Sequence, residues 1–333
     1  MVSPSPTTRA SPQSLPSARA ATTRNDARIP AIRRSGWSVY AVQPTESYSS
    51  ITSCSLSPST PASNLINDLS SPDRVLGLTG LMPTLHVLGT CAGWPEPGRA
   101  CCGYAIRAGD SYLAVDLGHG TLGPLLRLLG GDLTRLAGVV VSHAHPDHCA
   151  DLIGLARALV LGSSVRHVPL VAPPRVARTA AAADPEDGEQ VIAEAFATPE
   201  SAASAGPFGV TTSPTPHYVE NYACRVQADD RVLVHTGDTG PDGRLARFAS
   251  GADVLLSEST DRAQEQHDSA DADTRRYLLT GSQAGELAMS AQVGHLVLTH
   301  FWPGNDRDLS RREAQKTYRG PVTVADEGAA IEV

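Results

Sequence analysis

The stretch Ser142–His148, read as SHAHPDH, brings three histidines and one aspartate together within six positions. It follows an aliphatic run, Leu136–Val141, that is typical of a buried strand. Polar groups at such a place lower stability unless something binds them. Imidazole and carboxylate side chains suit zinc and similar first-row metals. On a tight turn these side chains point to two sides, so the stretch predicts part of a metal site that other segments must complete.

Three later residues are candidates for the missing ligands. His217 lies in the segment TPHYVEN, Asp238 in HTGDTG and His300 in LVLTHF. Asp238 and His300 come after aliphatic strands, in the same relation to a strand end as the first cluster. Functional sites of α/β sheets gather at strand ends, where loops change without disturbing the core. Each of these residues alone is typical of a turn or of an ordinary core histidine, and only their combination predicts a site.

The elements that must position these residues follow a regular order from residue 82 onward. Strands are predicted at 84–89, 103–107, 111–116, 138–141, 168–172, 209–212, 222–226, 231–234, 254–256 and 296–299, with two short strands at the end. Helices are predicted at 121–129, 149–161, 283–292 and 308–317, with an Ala-rich helix broken at 184–188. A meander followed by alternation with helices predicts two mixed sheets facing each other with helices outside, an α/β sandwich.

The first 81 residues have a different composition from the rest. They are rich in Ser, Thr, Pro and Arg and lack apolar periodicity, so we predict a disordered tail. The net charge of the whole chain is −8, and the tail contributes about +3, which leaves about −11 for residues 82–333. Two alternatives remain open: an organelle transit peptide, and a mis-set start upstream of a true start at Met82. Residues 82–333 form the predicted hydrolase domain.

Several classes of protein are disfavoured by composition. No apolar stretch reaches the ~18–20 residues that span a bilayer, and no secretory signal is evident. The six cysteines match neither a zinc-knuckle spacing nor a disulfide scaffold, so free thiols are predicted, with Cys149 in the core rather than on a metal. We therefore predict a cytoplasmic protein with no membrane partner.

The motifs together are similar to a known family. H-x-H-x-D-H, a later lone histidine, Gly-Asp-Thr after a strand, and Leu-Thr-His-Phe resemble, in order and context, the metallo-β-lactamase superfamily. Within it they look like the ribonuclease Z and cyclic-nucleotide phosphodiesterase branch, as do Leu88-Gly89-Thr90 and the segment 115–121. The resemblance covers roughly residues 83–333. It implies a four-layer αββα sandwich with two mixed β-sheets.

The resemblance also implies a metal-ligand set. His143, His145 and His217 would hold one metal, and Asp147, His148 and His300 the other. Asp238 would bridge both, so that Asp147 and Asp238 serve catalysis, while Asp116 would orient a ligand histidine. Two Zn²⁺ ions, with Mn²⁺ or Fe as alternatives, would share a hydroxide that attacks the substrate.

The implied reaction is hydrolysis of a small phosphodiester, with a cyclic nucleotide as the leading substrate. A ribonuclease Z-like tRNA 3′-processing endonuclease is the alternative. It is less favoured because His217 and Asp238 are only 21 positions apart, which leaves no room there for that family's substrate arm. A strongly acidic domain also lacks the surface that a large RNA needs. A thioester or lactone hydrolase and an inert metal-binding protein are weaker alternatives, and a homodimer is expected.

One position departs from the family pattern. Leu278, in the segment YLLTG, stands where the family has a histidine that protonates the leaving group. Loss of a general acid lowers a rate by ~10²–10⁴-fold. His267 is a candidate substitute, and Glu258, in LSEST, resembles a family motif that would support whichever acid is used.

Overall fold

The computed structural model describes residues 82–197, 204–260 and 277–333. The tail of residues 1–81 and the candidate acid His267 lie outside the described residues. Disorder of the tail, a start at Met82 and a role for His267 therefore stay predictions. No helix within these ranges is both long and apolar enough to cross a membrane.

The described chain forms two mixed sheets of seven strands each. The first has the order β14-β1-β2-β3-β4-β5-β6, and the second β13-β12-β11-β10-β9-β8-β7. The first sheet contains β1 (Thr84–Gly89), β2 (Gly103–Ala108), β3 (Ser111–Leu117), β4 (Leu136–Val140), β5 (Val168–Val171), β6 (Phe196–Ala197) and β14 (Ala330–Glu332). The second contains β7 (Ser204–Ala205), β8 (Phe208–Pro214), β9 (Tyr222–Ala228), β10 (Arg231–His235), β11 (Val254–Glu258), β12 (His295–Thr299) and β13 (Val322–Val324).

Helices cover the outer face of each sheet. They are α1 (Leu122–Leu128), α2 (Pro146–Cys149), α3 (Leu152–Gly162), α4 (Pro174–Ala181), α5 (Gly188–Ala195), α6 (Gly243–Phe248), α7 (Gly281–Ala291) and α8 (Arg307–Thr317). The first sheet packs against α1, α3, α4 and α5, and the second against α6, α7 and α8. Between the sheets, side chains such as Ile106 and Leu113 form one buried cluster with Phe208 and Val226. The predicted four-layer αββα sandwich is confirmed.

The direction of the strands brings the candidate ligands to one edge. Strands β3, β4 and β5 run parallel in the first sheet, and β10, β11, β12 and β13 in the second. Parallel strands end at the same edge of their sheet. The two edges are joined where the backbone N–H of Tyr222 donates to the Ser142 carbonyl at 3.1 Å and His143 pairs with Asn221. The loops after β4, β8, β10 and β12 therefore meet at one end of the sandwich.

The helix predicted at 149–161 is wrong in its start, because two helices occupy this region. α2 begins at Pro146, inside the SHAHPDH stretch, and α3 begins at Leu152. Asp151 separates them: its backbone N–H donates to Leu117 at 2.9 Å and its carboxylate accepts from the Leu122 backbone at 2.8 Å. These bonds tie the helix break to β3 and α1, and they fix α2 against the first sheet.

Candidate metal centre

Four of the predicted ligands form one compact group. The side-chain donor atoms of His143, His145, His217 and Asp238 all lie within 4.8 Å of one another. The Nδ1 atom of His145 is 2.9 Å from His143 Nε2 and 3.2 Å from His217 Nε2. Histidine nitrogens that converge in this way present lone pairs to a common point, which is the arrangement that a cation stabilises.

The remaining three predicted ligands form a second group beside the first. The Nε2 atoms of His148 and His300 are 3.1 Å apart. The Oδ2 atom of Asp147 lies 3.6 Å from His148 Nε2 and 3.4 Å from His300 Nε2. All three residues are buried. Two imidazoles and a carboxylate thus converge at a largely buried point.

Asp238 lies between the two groups and directs one oxygen to each. Its Oδ2 is 3.8 Å from His143 Nε2 and 3.6 Å from His217 Nε2. Its Oδ1 is 3.3 Å from His148 Nε2 and 3.2 Å from His300 Nε2. Burial alone would raise the pKa of Asp238, but the surrounding histidines hold that pKa well below its usual range. The carboxylate is therefore ionised and positioned to bridge two cations.

An unpartnered buried oxygen and the types of the converging atoms both fit a pair of metal ions. Among the described residues, Asp238 Oδ1 is a buried oxygen with no hydrogen-bond donor. A buried carboxylate oxygen without a partner costs free energy unless a cation occupies the space beside it. Three nitrogens and one oxygen converge on one side, two nitrogens and two oxygens on the other. Both sets match the N/O tetrahedral preference of zinc.

The Nδ1 atoms of His143 and His148, which face away from the site, form hydrogen bonds with neighbouring side chains. His148 Nδ1 lies 2.8 Å from Asp116 Oδ2. His143 Nδ1 lies 3.0 Å from the hydroxyl of Ser142, which donates to the same Asp116 oxygen at 3.0 Å. A proton on each Nδ1 leaves the Nε2 lone pair directed into the site. Asp116 thus contacts one histidine directly and another through Ser142.

Asp116 is placed by an irregularity in β3. It lies at a bulge, since Val115 and Leu117 pair with consecutive residues of β2, and its φ of +54° is in the left-handed region. Such a conformation costs about 1–3 kcal/mol and persists where the surroundings fix it. Burial would raise the pKa of Asp116, yet the charges and hydrogen bonds of His148 and His235 hold it far below its usual range. The ionised carboxylate accepts hydrogen bonds from the donors that surround it.

His235, at the end of β10, also supports this carboxylate. Its Nε2 donates to Asp116 Oδ2 at 3.1 Å. The two residues are 119 positions apart, and His235 ends an apolar strand, so no local signal marks the contact.

Asp116→Asn should lower metal affinity by about 10- to 100-fold, the usual effect of removing a group that orients metal-ligating histidines. The amide has one oxygen in place of two and would turn its own N–H group toward one of the present donors. A competition titration against a chromogenic chelator measures the change. The matched control is Asp110→Asn in the exposed turn between β2 and β3. Equal affinities for the two variants would contradict the assigned role.

His300 is oriented by residues at the end of β11, which lies beside β12 in the second sheet. The hydroxyl of Thr260 lies 2.5 Å from His300 Nδ1 and 2.5 Å from Glu258 Oε2. The Nδ1–H group of His300 can therefore donate to the Thr260 hydroxyl, which in turn donates to Glu258. With the proton on Nδ1, the lone pair of His300 Nε2 faces the site. Burial, followed by the negative charge of Asp238, raises the pKa of Glu258 well above its usual value. Glu258 is thus placed behind His300, not at the centre between the ligand groups.

The segment around Leu278 is fixed to the site on both sides. The Tyr277 carbonyl lies 3.2 Å from His217 Nδ1 and accepts its proton. The Leu279 backbone N–H donates to Glu258. Position 278 therefore lies between two backbone contacts to the centre, with a partly buried aliphatic side chain.

Two further contacts of the second group were not evident from the sequence. The backbone N–H of Gly93 donates to Asp147 Oδ2 at 2.6 Å. The thiol of Cys102 lies within 4.8 Å of the donor nitrogens of His148 and His300. Burial raises the pKa of the Cys102 thiol well above its usual value. Cys149 packs in the core of the first sheet, in agreement with the sequence-based expectation.

Comparison with known proteins decides the family. The profile of the "Beta-lactamase superfamily domain" matches residues 113–301, which include all seven candidate ligands. The chain belongs to the metallo-β-lactamase superfamily. The probable metallo-hydrolase YhfI of Bacillus subtilis is 30% identical over 251 residues, covering 73% of this chain and 96% of YhfI. The predicted class, a metal-dependent hydrolase, is confirmed.

Two further comparisons agree with this assignment. The crystal structure of YhfI superposes with a TM-score of 0.63 at 27% identity, over 76% of this chain and 100% of that one. Ribonuclease Z of Myxococcus xanthus is 27% identical over 310 residues, covering 75% of this chain and 97% of that protein. The resemblance to the ribonuclease Z-like part of the superfamily is thereby confirmed.

Proposed function

We propose that this superfamily member is a dinuclear zinc phosphodiesterase that hydrolyses a small phosphodiester, with a cyclic nucleotide as its substrate. The observation that carries the proposal is the position of Asp238, whose two oxygens face two separate groups of ligands. A site for one ion needs no carboxylate in this position. The proposed catalytic unit is residues 82–333.

The distances support the following assignment of residues to the two metals. His143, His145 and His217 would hold the first ion, and Asp147, His148 and His300 the second, with Asp238 shared. When bound, a zinc pair supplies a nucleophile at neutral pH and neutralises charge on a phosphoryl group. Mn²⁺ and Fe are alternatives that use the same donor atoms.

The chain itself orients the side chains of the centre. Asp116 and Glu258 fix the imidazoles of the second group through their Nδ1 atoms, directly for His148 and through Thr260 for His300. Gly93 fixes the orientation of Asp147. Rigid metal ligands matter because a misplaced catalytic group forfeits much of the rate enhancement that correct positioning supplies. Asp147 and Asp238 contribute two negative charges, so two bound divalent ions would leave a net positive charge that suits a phosphodiester anion.

Some sequence relatives are named ribonuclease Z, which supports cleavage of phosphodiester bonds in general. The net charge of the chain favours a small phosphodiester over transfer RNA. The charge of about −11 over residues 82–333 opposes the approach of a long polyanion. A cyclic nucleotide carries one charge and needs no extended basic surface.

The test uses the full chain purified with Zn²⁺ or Mn²⁺. Hydrolysis of cyclic AMP and of bis(p-nitrophenyl) phosphate is followed beside cleavage of a pre-tRNA, with Asp238→Asn as the inactive control. We expect turnover of both small diesters and little cleavage of the RNA. Faster cleavage of the pre-tRNA than of cyclic AMP would favour the ribonuclease alternative. Two bound metals without turnover of any diester would reject the proposal in favour of thioester or lactone hydrolysis.

A further inference from the structure

Exposed aromatic side chains border the metal centre. Five large apolar side chains are exposed among the described residues: Met82, Trp94, Leu161, Tyr218 and Met289. Two of the five, Trp94 at 48% and Tyr218 at 52% exposure, lie beside the candidate ligands, one next to each group. Exposed apolar surface beside a polar site is characteristic of a ligand-binding face.

Trp94 forms a pair with Trp302, called here the tryptophan wall. The ring centroids are 4.8 Å apart and the planes cross at 78°, an edge-to-face arrangement. Trp302 follows the ligand His300 by two positions. Its ring lies 3.3 Å from the point that a Cβ atom on Gly93 would occupy, and Gly93 has a φ of +71°. Since the Gly93 amide binds Asp147, one glycine separates the indole from a metal-ligand carboxylate.

The tryptophan wall is fixed by contacts between its two loops. The Ala92 backbone N–H donates to the Phe301 carbonyl at 2.9 Å. Glu96 accepts from the Gly304 backbone at 2.8 Å and forms an ion pair with Arg307 at 3.5 Å. An aromatic face that is rigid before binding loses little conformational entropy when a ligand stacks on it.

We propose that the tryptophan wall stacks on the nucleobase of the substrate while the phosphodiester lies at the metal centre. This inference rests on the proposed phosphodiesterase function and narrows its substrate to nucleotides. Stacking of one base on an aromatic side chain contributes about 5- to 150-fold in affinity and accepts any base, because every base has a π-face. The wall therefore recognises the presence of a base, not its identity.

The aromatic pair at the other end of the site is less suited to this role. Tyr218 and Tyr277 have ring centroids 4.6 Å apart, and Tyr218 also packs against the ring of His217 at 5.2 Å. Tyr218 thus already contacts two rings. The Tyr277 backbone is occupied in holding His217. This pair supports the first ligand group and serves as the comparison in the test.

The test compares a substrate with a base and one without. The ratio of kcat/KM for cyclic AMP to kcat/KM for methyl ribofuranoside 3′,5′-cyclic phosphate is measured for the full chain and its variants. Trp94→Ala should lower this ratio by about 5- to 150-fold. Trp94→Phe should recover most of it, and Leu161→Ala, an exposed apolar control on α3, should leave it unchanged.

A second readout does not depend on turnover. The chain has three tryptophans, two of them in the wall, so adding 5′-AMP to the metal-loaded full chain should quench intrinsic fluorescence. Trp94→Ala should remove most of this quenching.

Several results would overturn the inference. Equal losses on both substrates in Trp94→Ala would assign the wall a structural role. A base-selective loss in Tyr218→Ala but not in Trp94→Ala would move the base to the tyrosine pair. If no diester is hydrolysed, the proposed function fails, and the fluorescence titration still decides: quenching by 5′-AMP that Trp94→Ala removes supports a base-binding wall, and its absence rejects one.

Discussion

Asp238→Asn is expected to lower kcat/KM for every phosphodiester substrate by about 10³-fold. The physical reason is the division of its two oxygens between the ligand groups. Asparagine keeps the shape but has one oxygen, and its amide N–H group would face the histidine nitrogens of the other group. Charge stabilisation by a metal pair is worth several kcal/mol, and each 1.36 kcal/mol is tenfold in rate.

The same variant should bind one metal per chain in place of two. Steady-state kinetics with bis(p-nitrophenyl) phosphate and elemental analysis of the dialysed protein measure both effects. Asp230→Asn is the matched control, because its side chain is 87% exposed and adjoins Arg231 on the surface. An Asp238→Asn protein with two metals and native kcat/KM would show that this carboxylate does not bridge.

Leu278→His is expected to raise kcat for cyclic AMP by about 10²-fold, within the range that a general acid supplies. The position matches the family's acid, and its backbone neighbours contact His217 and Glu258 on either side. A histidine placed there would protonate the alkoxide that leaves when a cyclic phosphodiester opens. The native chain, with an aliphatic side chain, has no acid at this position.

The leaving group separates this effect from a change in metal binding. p-Nitrophenolate leaves readily without a proton, so Leu278→His should change kcat for bis(p-nitrophenyl) phosphate much less than kcat for cyclic AMP. Leu278→Asn is the control, since it is polar but carries no titrating proton. Equal rate changes for both substrates, or the same gain in Leu278→Asn, would contradict the role of a general acid. No gain at all would indicate that another group, with His267 as the candidate, already acts.

The layout of the candidate site was predictable because its signals are local in the chain. SHAHPDH, Gly-Asp-Thr and Leu-Thr-His-Phe each follow an apolar strand, and strand direction alone brings such loops to one edge. The structure places all seven candidate ligands together there. The order of the motifs also predicted the sandwich, since each half supplies strands and then helices.

The supporting contacts were not predictable because they join distant segments. Gly93 is 54 positions from Asp147, and its role depends on one backbone N–H. Cys102 approaches the second group through the pairing of β2 with β3, which no spacing in the sequence reveals. The break at Asp151 was also missed, because its cause is a hydrogen bond to α1 and not a helix-breaking residue.

Zinc X-ray absorption spectroscopy on the full chain, after zinc loading and dialysis, measures whether Asp238 bridges two metal ions. We predict two zinc ions per chain by elemental analysis and a zinc–zinc scattering distance of about 3.5–4 Å, which Asp238→Asn removes. One zinc per chain, or two without a metal–metal feature, would contradict the account.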